Sequence, residues 1–384
     1  MSLMARLAAV LTMAIGGIVG PATLAGAAPA DPFTPDPAVT AVRVEGGGPV
    51  TIAEDVNTAG TVVGRTGFGS QVQAYAWSRG QARPLDPPNA GGESAAYRVN
   101  RRGDVLVQTR NGARLLSAGR WQEFPDTAAV DLNEAGDVLL YTPYIQDFTD
   151  PSRVLLWTHG RLVELLPPGT LETWNVVPAA LNNAGQVLLR VYGENLGTRE
   201  GSFVWTRGRF VQLQPTEPGG ILDPLYLDGR GRAVGLAGGP FRVSAATWDS
   251  RGRPSLLALP EGATGADPRG VNAFGQVVGY CSCLGGTQRI VLWTAGRPTV
   301  LPDLPGFGLA GDSPVINDLG QVAWVERSAG GAGSPVVLVW WFGREVLLGP
   351  GTVSAISNGG FVVGNVEPNG VLWSVDWRAV FARR

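Results

Sequence analysis

One short element, Asn-x-x-Gly between two apolar runs, recurs along the whole chain and limits the fold more than any other feature. Good matches read VNTAGTVVGR from position 56, LNNAGQVLLR from 181 and VNAFGQVVGY from 271. Aligning eight copies places the first residue of each at Asn57, Asn100, Asn133, Asn182, Asp228, Asn272, Asn317 and Ser357. Successive copies start 33 to 49 residues apart, which is the period of solenoids and propellers.

A second landmark follows within the copies: an apolar run that ends in Trp, then a turn with Gly. These Trp residues are Trp77, Trp157, Trp205, Trp248, Trp293, Trp340 and Trp373, while copy two has Leu116 instead. Each copy gives four short runs of Val, Leu and aromatic residues between Gly, Pro and Asn turns, which indicates four strands. Four strands every ~43 residues is typical of a propeller blade. The sequence therefore predicts an all-β fold, a β-propeller of about eight four-stranded blades.

The turn residues assign loops to two faces. Asn at the first position and Gly at the fourth favour a type I turn with a G1 bulge, which joins strand one to strand two. Trp-x-x-Gly joins strand three to strand four. In an up-and-down blade both turns lie on one face, here called the regular face. Loops between strands two and three, and crossings between blades, lie on the opposite, variable face. The longest run over 141–153, 191–202, 280–289 and 326–335.

The ends of the chain predict its organisation. Arg6, an apolar run over 7–20 and Ala28-Pro29-Ala30 are typical of a secretory signal peptide, predicted over 1–30. A short linker, 31–38, then precedes a single propeller domain of eight repeats over 39–384. Two segments could supply the last strand of blade eight, VTAVRVE (39–45) or WRAVF (377–381), and the sequence does not choose between them.

Composition narrows the classes of partner. The net charge is −2, with acidic and basic residues interspersed along the chain, so no nucleic-acid partner is predicted. No apolar stretch after residue 30 approaches the roughly 18 residues that span a bilayer, so no membrane insertion is predicted. We expect a secreted, extracellular monomer without a cofactor.

The aligned pattern, (I/V/L)-N-x-x-G-x-V-V-G followed by A-x-x-W-x-x-G, resembles the extracellular HAF-repeat proteins of bacteria. VNAFGQVVGY with IVLWTAGRPTVLPDLPG and VNTAGTVVGR with AYAWSRG carry the resemblance. It covers roughly residues 39 to 384, although the His-Ala-Phe triplet that names the repeat is absent. The resemblance implies secretion and a propeller, and it supplies no catalytic residues.

Candidate functional residues lie mainly on the variable face, because variable loops on a rigid scaffold often carry binding. We interpret the repeated Asn and Trp residues as structural, the Asn in turns and the Trp between blades. Trp174 lies outside the repeat register and is the preferred exposed aromatic residue. The predicted ligand-binding residues are Tyr141, Tyr144, Asp147, Asp150, Trp174, Tyr192, Glu194, Arg199 and Glu200.

Two further groups are notable. Asp55, Arg98 and Asp131 precede their copies' first position by two residues and could line the central channel, to hold a ligand or, as we favour, to pair their charges. Cys281 and Cys283 could form a local disulfide, bond to another chain or bind metal. Metal is disfavoured because the sole histidine, His159, falls on the opposite face.

These features favour a binding or interaction module for an extracellular glycan or protein. An alternative is a polysaccharide hydrolase or lyase that uses two carboxylates of the variable face or the channel. A structural protein of the cell envelope is a third hypothesis. No nucleophile elbow, HExxH, Walker or EF-hand motif is present, so no catalytic residue is assigned.

Overall fold

The structure is a computed structural model that describes residues 34–87, 90–142, 151–193, 199–239, 242–282, 287–328 and 333–383. Its strands form eight separate antiparallel sheets. Residues of blade one and blade eight share one buried apolar cluster, which includes Ala53, Val62, Tyr75, Val363 and Leu372. The sheets therefore close into a ring, and the prediction of an eight-bladed propeller is confirmed.

Blades one to four each take four consecutive strands. These are β2 (Thr51–Val56), β3 (Val62–Thr66), β4 (Gln73–Ser78) and β5 (Gln81–Pro84); β6 (Ser94–Val99), β7 (Val105–Thr109), β8 (Gly112–Ser117) and β9 (Arg120–Pro125); β10 (Ala128–Leu132), β11 (Val138–Thr142), β12 (Arg153–Thr158) and β13 (Arg161–Glu164); β14 (Asn175–Leu181), β15 (Val187–Tyr192), β16 (Arg199–Thr206) and β17 (Arg209–Gln212). A short 3-10 helix, Gly69–Gln71, lies between β3 and β4.

Blades five to eight follow the same plan with two departures. Their strands are β18 (Ile221–Leu227), β19 (Ala233–Gly239), β20 (Arg242–Trp248) and β21 (Pro254–Leu256); β22 (Gly265–Val271), β23 (Val277–Ser282), β24 (Gln288–Thr294) and β25 (Arg297–Val300); β26 (Phe307–Leu309), β27 (Val315–Ile316), β28 (Val322–Ser328), β29 (Val336–Trp341) and β30 (Arg344–Pro350); β31 (Thr352–Ile356), β32 (Val362–Val366) and β33 (Asn369–Val375). In blade seven the inner strand is split, since β26 and β27 both pair with β28.

The second departure is the closure of the ring. The fourth strand of blade eight is β1 (Val39–Val44), which pairs antiparallel with β33 from Val39 opposite Val375 to Val44 opposite Gly370. The alternative prediction, that WRAVF (377–381) forms this strand, is wrong, because these residues lie in the helix α1 (Trp377–Ala382). Asp376 caps this helix by accepting hydrogen bonds from the backbone N–H groups of Arg378 and Ala379.

The turns have the geometry that the sequence predicts. In the first copy, the N–H of Gly60 donates to the carbonyl of Asn57 at 3.0 Å. The fourth-position glycines of all eight copies have φ between 73° and 86°, a region that L-residues rarely adopt. In five Trp-x-x-Gly turns, and in the equivalent Leu116 turn of copy two, the residue before Gly also has a positive φ, between 45° and 51°, as in the tight type I′ hairpin.

The repeated Trp residues pack between blades, as the sequence predicts. Trp293 of blade six is buried against Val234 and Ala245 of blade five. Its indole N–H donates to the carbonyl of Ala258 in the preceding crossing at 2.7 Å. An aromatic side chain of this size buries about 150 to 250 Å², so each such Trp anchors one interface.

Candidate functional site

The Asn-x-x-Gly turns are joined by a series of hydrogen bonds that runs along the regular face from blade one to blade eight. Asn133 shows the pattern: its Oδ1 accepts from the N–H groups of Ala135 and Asp137 at 3.0 and 2.8 Å. Its Nδ2 donates to the Asp137 carboxylate at 2.9 Å and to the backbone carbonyl of Asn182, in the next blade, at 3.0 Å. One buried side chain therefore fixes its own turn and links it to the neighbouring blade.

Six junctions between blades carry this link, which we call the asparagine latch. The donors are Asn57, Asn100, Asn133, Asn182, Asn272 and Asn317. Asp228 and Ser357 have no side-chain N–H to donate. At the first of these junctions the backbone N–H of Gly229 donates to the carbonyl of Ala273 instead. The repeated Asn therefore acts between blades as well as within its own turn.

The residue after the glycine belongs to the same network, a role that the sequence reasoning missed. Asp137 accepts from Asn133 on one oxygen and from the hydroxyl of Thr158, at the end of strand three, on the other. Gln186 and Gln276 take the same position in their copies and bond to Thr206 and Thr294. The signal that could have revealed it is the recurrence of Asp or Gln after the fourth-position glycine.

A cavity of about 290 Å³ opens at the centre of the ring, lined by these turns. Several of its second-position side chains accept hydrogen bonds from the backbone of the neighbouring turn. Glu134 accepts from the N–H of Arg101, and Asn183 accepts from the N–H of Glu134. Asp318 accepts from Ala273 and from the amide of Asn358. Because these polar groups are already partnered, the geometry favours a structural role for the turns that surround the cavity.

The three channel candidates lie together beside this cavity. Arg98 Nε contacts Asp131 Oδ1 at 3.2 Å. Both oxygens of Asp55, which lines the cavity, accept backbone N–H groups, from Val56 and Val99 at 2.9 Å. Burial raises the pKa of Asp55 to about 6, against the lowering effects of Arg98 and these N–H groups. Charge pairing and backbone bonds therefore account for the contacts of the cluster.

A β-bulge explains why the cluster faces inward. The pairing of β2 with β3 shifts register between Ala53 and Asp55, and equivalent shifts occur in the inner strands of blades two to six and eight. A bulge places two consecutive residues opposite one and re-aims a side chain. It thus turns the residue two before the Asn position toward the channel.

The predicted variable-face residues separate into three groups. Tyr144, Asp147, Asp150 and Glu194 lie outside the described residues, as does Cys283; Cys281 is buried in blade six. Tyr141 and Trp174 are half-buried, so Trp174 is not the fully exposed aromatic residue expected. The Tyr141 hydroxyl donates to Ser152 at 2.9 Å, and the Trp174 carbonyl accepts from Arg153 at 2.9 Å. Both residues thus support the start of β12.

The third group, Tyr192, Arg199 and Glu200, lines a pocket of about 590 Å³ between blades four and five, here called the interblade pocket. Its remaining wall comes from the end of β17, the crossing to blade five and the start of β18. The lining residues are Tyr192, Arg199, Glu200, Gly201, Gln212, Leu213, Pro215, Gly219, Gly220, Ile221, Leu222 and Asp223. Sequence reasoning missed Gln212, at the end of β17, and Asp223, because only the ring brings the next blade against this loop.

Arg199 organises the interblade pocket. One of its terminal nitrogens lies 2.9 Å from the Tyr192 hydroxyl and 2.8 Å from Asp223 Oδ1, and the other donates to the carbonyl of Leu222. Its guanidinium carbon lies 5.3 Å from the centre of the Tyr192 ring, within cation–π range. Arg190 also contacts Asp223, at 3.4 Å. These contacts fix the tyrosine and the carboxylate at the pocket wall, while Glu200 and Ile221 are exposed.

Blade seven contains carboxylates that are buried or have a raised pKa. Glu326 is fully buried, and its two oxygens accept from the indole N–H of Trp324 and the backbone N–H of Leu304. Burial, and then the nearby Glu326 and Asp303, raise the pKa of Glu345 to about 7.

Within the described ranges, no group of three or more His, Cys, Asp or Glu side chains could hold a metal ion. No helix in that part of the chain is long and apolar enough to cross a bilayer.

Comparisons with known proteins support the propeller fold and assign no activity. No protein-family model matches the chain, and no curated protein matches it in sequence. The chain is similar in structure to Porphyromonas gingivalis dipeptidyl peptidase 4, with a TM-score of 0.55, 11% identity, and 88% of this chain and 59% of that chain covered.

Two further solved structures are similar. A prolyl endopeptidase has a TM-score of 0.52 and 13% identity, with 83% of this chain and 50% of that chain covered. The β-propeller domain of the Trilobed protease from Pyrococcus furiosus has a TM-score of 0.43 and 11% identity, with 66% and 84% covered. The chain spans only about half of the endopeptidase. At these identities the similarities show the propeller fold alone.

Proposed function

We propose that this propeller is an extracellular binding protein that recognises a short segment of a glycan in the interblade pocket. The observation that carries the proposal is the pocket itself, which joins three sequence-predicted residues, Tyr192, Arg199 and Glu200, to the wall of the next blade. Secretion through the segment 1–30 and membership of the HAF-repeat family belong to the same proposal. The resemblance of the repeats supports both.

The size and shape of the pocket favour a small ligand unit over a flat protein surface. Pockets that bind small molecules usually measure about 300 to 1,000 Å³, and stable protein interfaces bury roughly 800 Å² on each partner. At about 590 Å³ the interblade pocket is in the small-ligand range. A saccharide unit of a longer glycan would fit a concave site that opens to solvent.

The chemistry of the wall also suits a sugar. Glu200 and Gln212 are exposed, and both can accept or exchange hydrogen bonds with hydroxyl groups. Ile221 is 39% exposed and offers an apolar surface to the carbon face of a sugar ring. Arg199 is already held by Asp223 and Tyr192, so it enters the site with its side-chain entropy largely lost.

The alternative function, a polysaccharide hydrolase or lyase, would need two carboxylates in acid and base or nucleophile roles. Glu200 and Asp223 are the two carboxylates that line the interblade pocket. Asp223 accepts from both Arg190 and Arg199, and these contacts suit a structural part of the wall. Recognition is therefore favoured over turnover.

The test is a binding screen of the purified protein against immobilised neutral hexose oligomers and uronate oligomers, followed by calorimetry on those retained. We expect Arg199→Ala and Tyr192→Phe to weaken binding by tenfold or more, because each removes a group that fixes the pocket wall. Arg110→Ala, at an exposed variable-face arginine outside the pocket, is the matched control. Equal binding by all variants would remove the interblade pocket from the proposal, and release of reducing ends would favour the enzyme.

A further inference from the structure

Arginine residues surround the rim of the regular face. Each of the seven turns between strands three and four carries at least one, and in six of them an arginine directly follows the turn glycine. The residues are Arg79, Arg120, Arg161, Arg207, Arg209, Arg251, Arg253, Arg297 and Arg344, and all are exposed. We call this set the arginine rim.

Most of the rim is free of counter-charges within the described part of the chain. Arg253 pairs with Asp249 at 2.7 Å, and Arg344 is 3.5 Å from the carbonyl of Arg383. The other seven make no ion pair with a described residue. Arginines at equivalent turn positions, most of them without an ion pair, create a band of positive potential around one face of the ring.

The opposite face carries many exposed carboxylates, together with arginines such as Arg110. Exposed carboxylates lie in the crossings and in the loops between strands two and three, on the variable face: Asp86, Asp126, Glu172, Glu200, Glu217, Glu261 and Glu367. The arginine rim and these exposed loop carboxylates therefore lie on different faces, although the net charge is only −2. Along the chain the acidic and basic residues are interspersed, and only the folding of each blade sorts them.

Large apolar side chains protrude from the same face as the arginine rim. Phe274 is 66% exposed and Leu319 47%, both at the third position of their Asn-x-x-Gly turns. Phe342, in the turn of blade seven, is 74% exposed, and Phe381 of α1 is 41% exposed. The ring of Trp341 packs against the rings of Phe342 and Phe381, and its centre lies 5.2 Å and 5.7 Å from theirs.

We propose that the regular face docks on the surface of an anionic phospholipid bilayer. The arginine rim would contact lipid phosphates, and Phe274, Leu319, Phe342 and Phe381 would enter the boundary between headgroups and acyl chains. Guanidinium groups bind phosphate well, and a basic surface with protruding aromatic and aliphatic residues is the combination that interfacial binding needs. Bare Phe and Leu side chains favour lipid over a hydrated polyanion, which would leave them in water.

Such docking would orient the protein. The acidic variable face would point away from the anionic surface, which keeps the interblade pocket open to solvent. The proposal does not depend on what that pocket binds, because no residue of the pocket belongs to the regular face.

The test measures the partition of the full protein onto vesicles of phosphatidylcholine alone and of phosphatidylcholine mixed with phosphatidylglycerol, by co-sedimentation at rising salt. We expect binding only to the mixed vesicles, and loss of binding as salt rises. The double variant Arg161→Glu with Arg209→Glu should bind at least about tenfold more weakly, because each arginine near an anionic surface contributes roughly fivefold.

The apolar contribution has a matched pair of variants. Phe342→Asn removes a 74% exposed ring and keeps a residue that tolerates its positive φ of 45°. Phe68→Asn removes a 72% exposed ring from the variable face. The first should weaken partition several-fold and the second should not. Three results would overturn the proposal: equal partition onto neutral and mixed vesicles, no effect of either regular-face change, or binding to a soluble polyuronate without partition onto vesicles.

Discussion

The two faces of this propeller are built from ends of the same strands, yet they satisfy their polar groups in different ways. On the regular face, turns of nearly constant length bond to themselves and to the next blade through residues such as Asn133. On the variable face, each crossing has its own length, and the contacts of Arg153 and Arg199 are specific to their own crossings. Repetition therefore marks the parts that assemble the ring, and departures from it mark the parts available for recognition.

The centre of the regular face also differs from its rim. At the centre, carboxylates and amides such as Glu134 and Asn183 are bonded from blade to blade. At the rim, Arg161 and Arg209 repeat in sequence just as regularly but contact no carboxylate among the described residues. A repeated residue without a partner inside the fold is a candidate for a partner outside it.

Removal of one asparagine latch should have the largest effect on stability. Asn133→Ala leaves the N–H group of Ala135 and the buried N–H group of Asp137 without an acceptor, and the carbonyl of Asn182 without its side-chain donor. A buried polar group left without a partner costs about 1 to 3 kcal/mol, so we expect a loss near 3 kcal/mol. Chemical denaturation measures it. Ser357→Ala is the control, because Ser357 makes one such bond, to the N–H of Phe361, and should lose about 1 kcal/mol.

The pH dependence of stability should trace in part to Glu345. Its pKa is raised to about 7 in the folded protein, against an ordinary value near 4.5. The folded state therefore binds this proton more tightly than the unfolded state, and stability falls as pH rises from about 4.5 to about 7. Glu345→Gln should remove this fall, which is at most about 3 kcal/mol for such a shift. Unfolding curves of both proteins at pH 4.5 and pH 8 check it. If the free energy of unfolding changes by the same amount between these pH values in both proteins, the assignment to Glu345 is contradicted.

Adding a latch should have a smaller, opposite effect. Ser357 occupies the first position of copy eight, where the ring meets blade one; the six latched copies have Asn at this position. Ser357→Asn should place an amide donor near the carbonyl of Asn57 and stabilise the fold by about 1 kcal/mol. A rise in the midpoint of urea unfolding is the expected result. An unchanged or lower midpoint would show that the geometry of this junction differs from the six latched ones.

Variable-face changes should affect stability least. Glu172 and Glu217 are exposed in crossings and make no side-chain hydrogen bond or ion pair with a described residue. Replacing either with Ala should change the free energy of unfolding by less than about 0.5 kcal/mol. A larger loss at these positions than at Ser357 would reverse the proposed division between the faces.

The sequence predicts the blades because their signals are local. Asn at the first position and Gly at the fourth define a turn within four residues, and the following Trp marks the end of strand three. The closure was not decidable from sequence, because an apolar, alternating segment such as WRAVF suits a strand as well as a short helix. Asp376 directly before it, in a position to cap a helix, is the signal that could have indicated α1.

Only part of the candidate site could be predicted from the sequence. Tyr192, Arg199 and Glu200 follow from loop length, since long loops on the variable face are visible in the repeat alignment. Gln212 and Asp223 come from the end of one blade and the start of the next, and nothing local distinguishes them from solvated residues. Their role appears only when blade five packs against blade four. The same reason hid the asparagine latch, whose acceptor lies one full repeat away.

The division of the two faces is tested most directly by backbone hydrogen exchange on the protein with and without the oligosaccharide that binds most tightly in the screen. We expect added protection confined to the walls of the interblade pocket, in peptides that cover 199–201 and 212–223, with unchanged exchange in the Asn-x-x-Gly turns. Protection at the turns around the central cavity, with none at the interblade pocket, would contradict it.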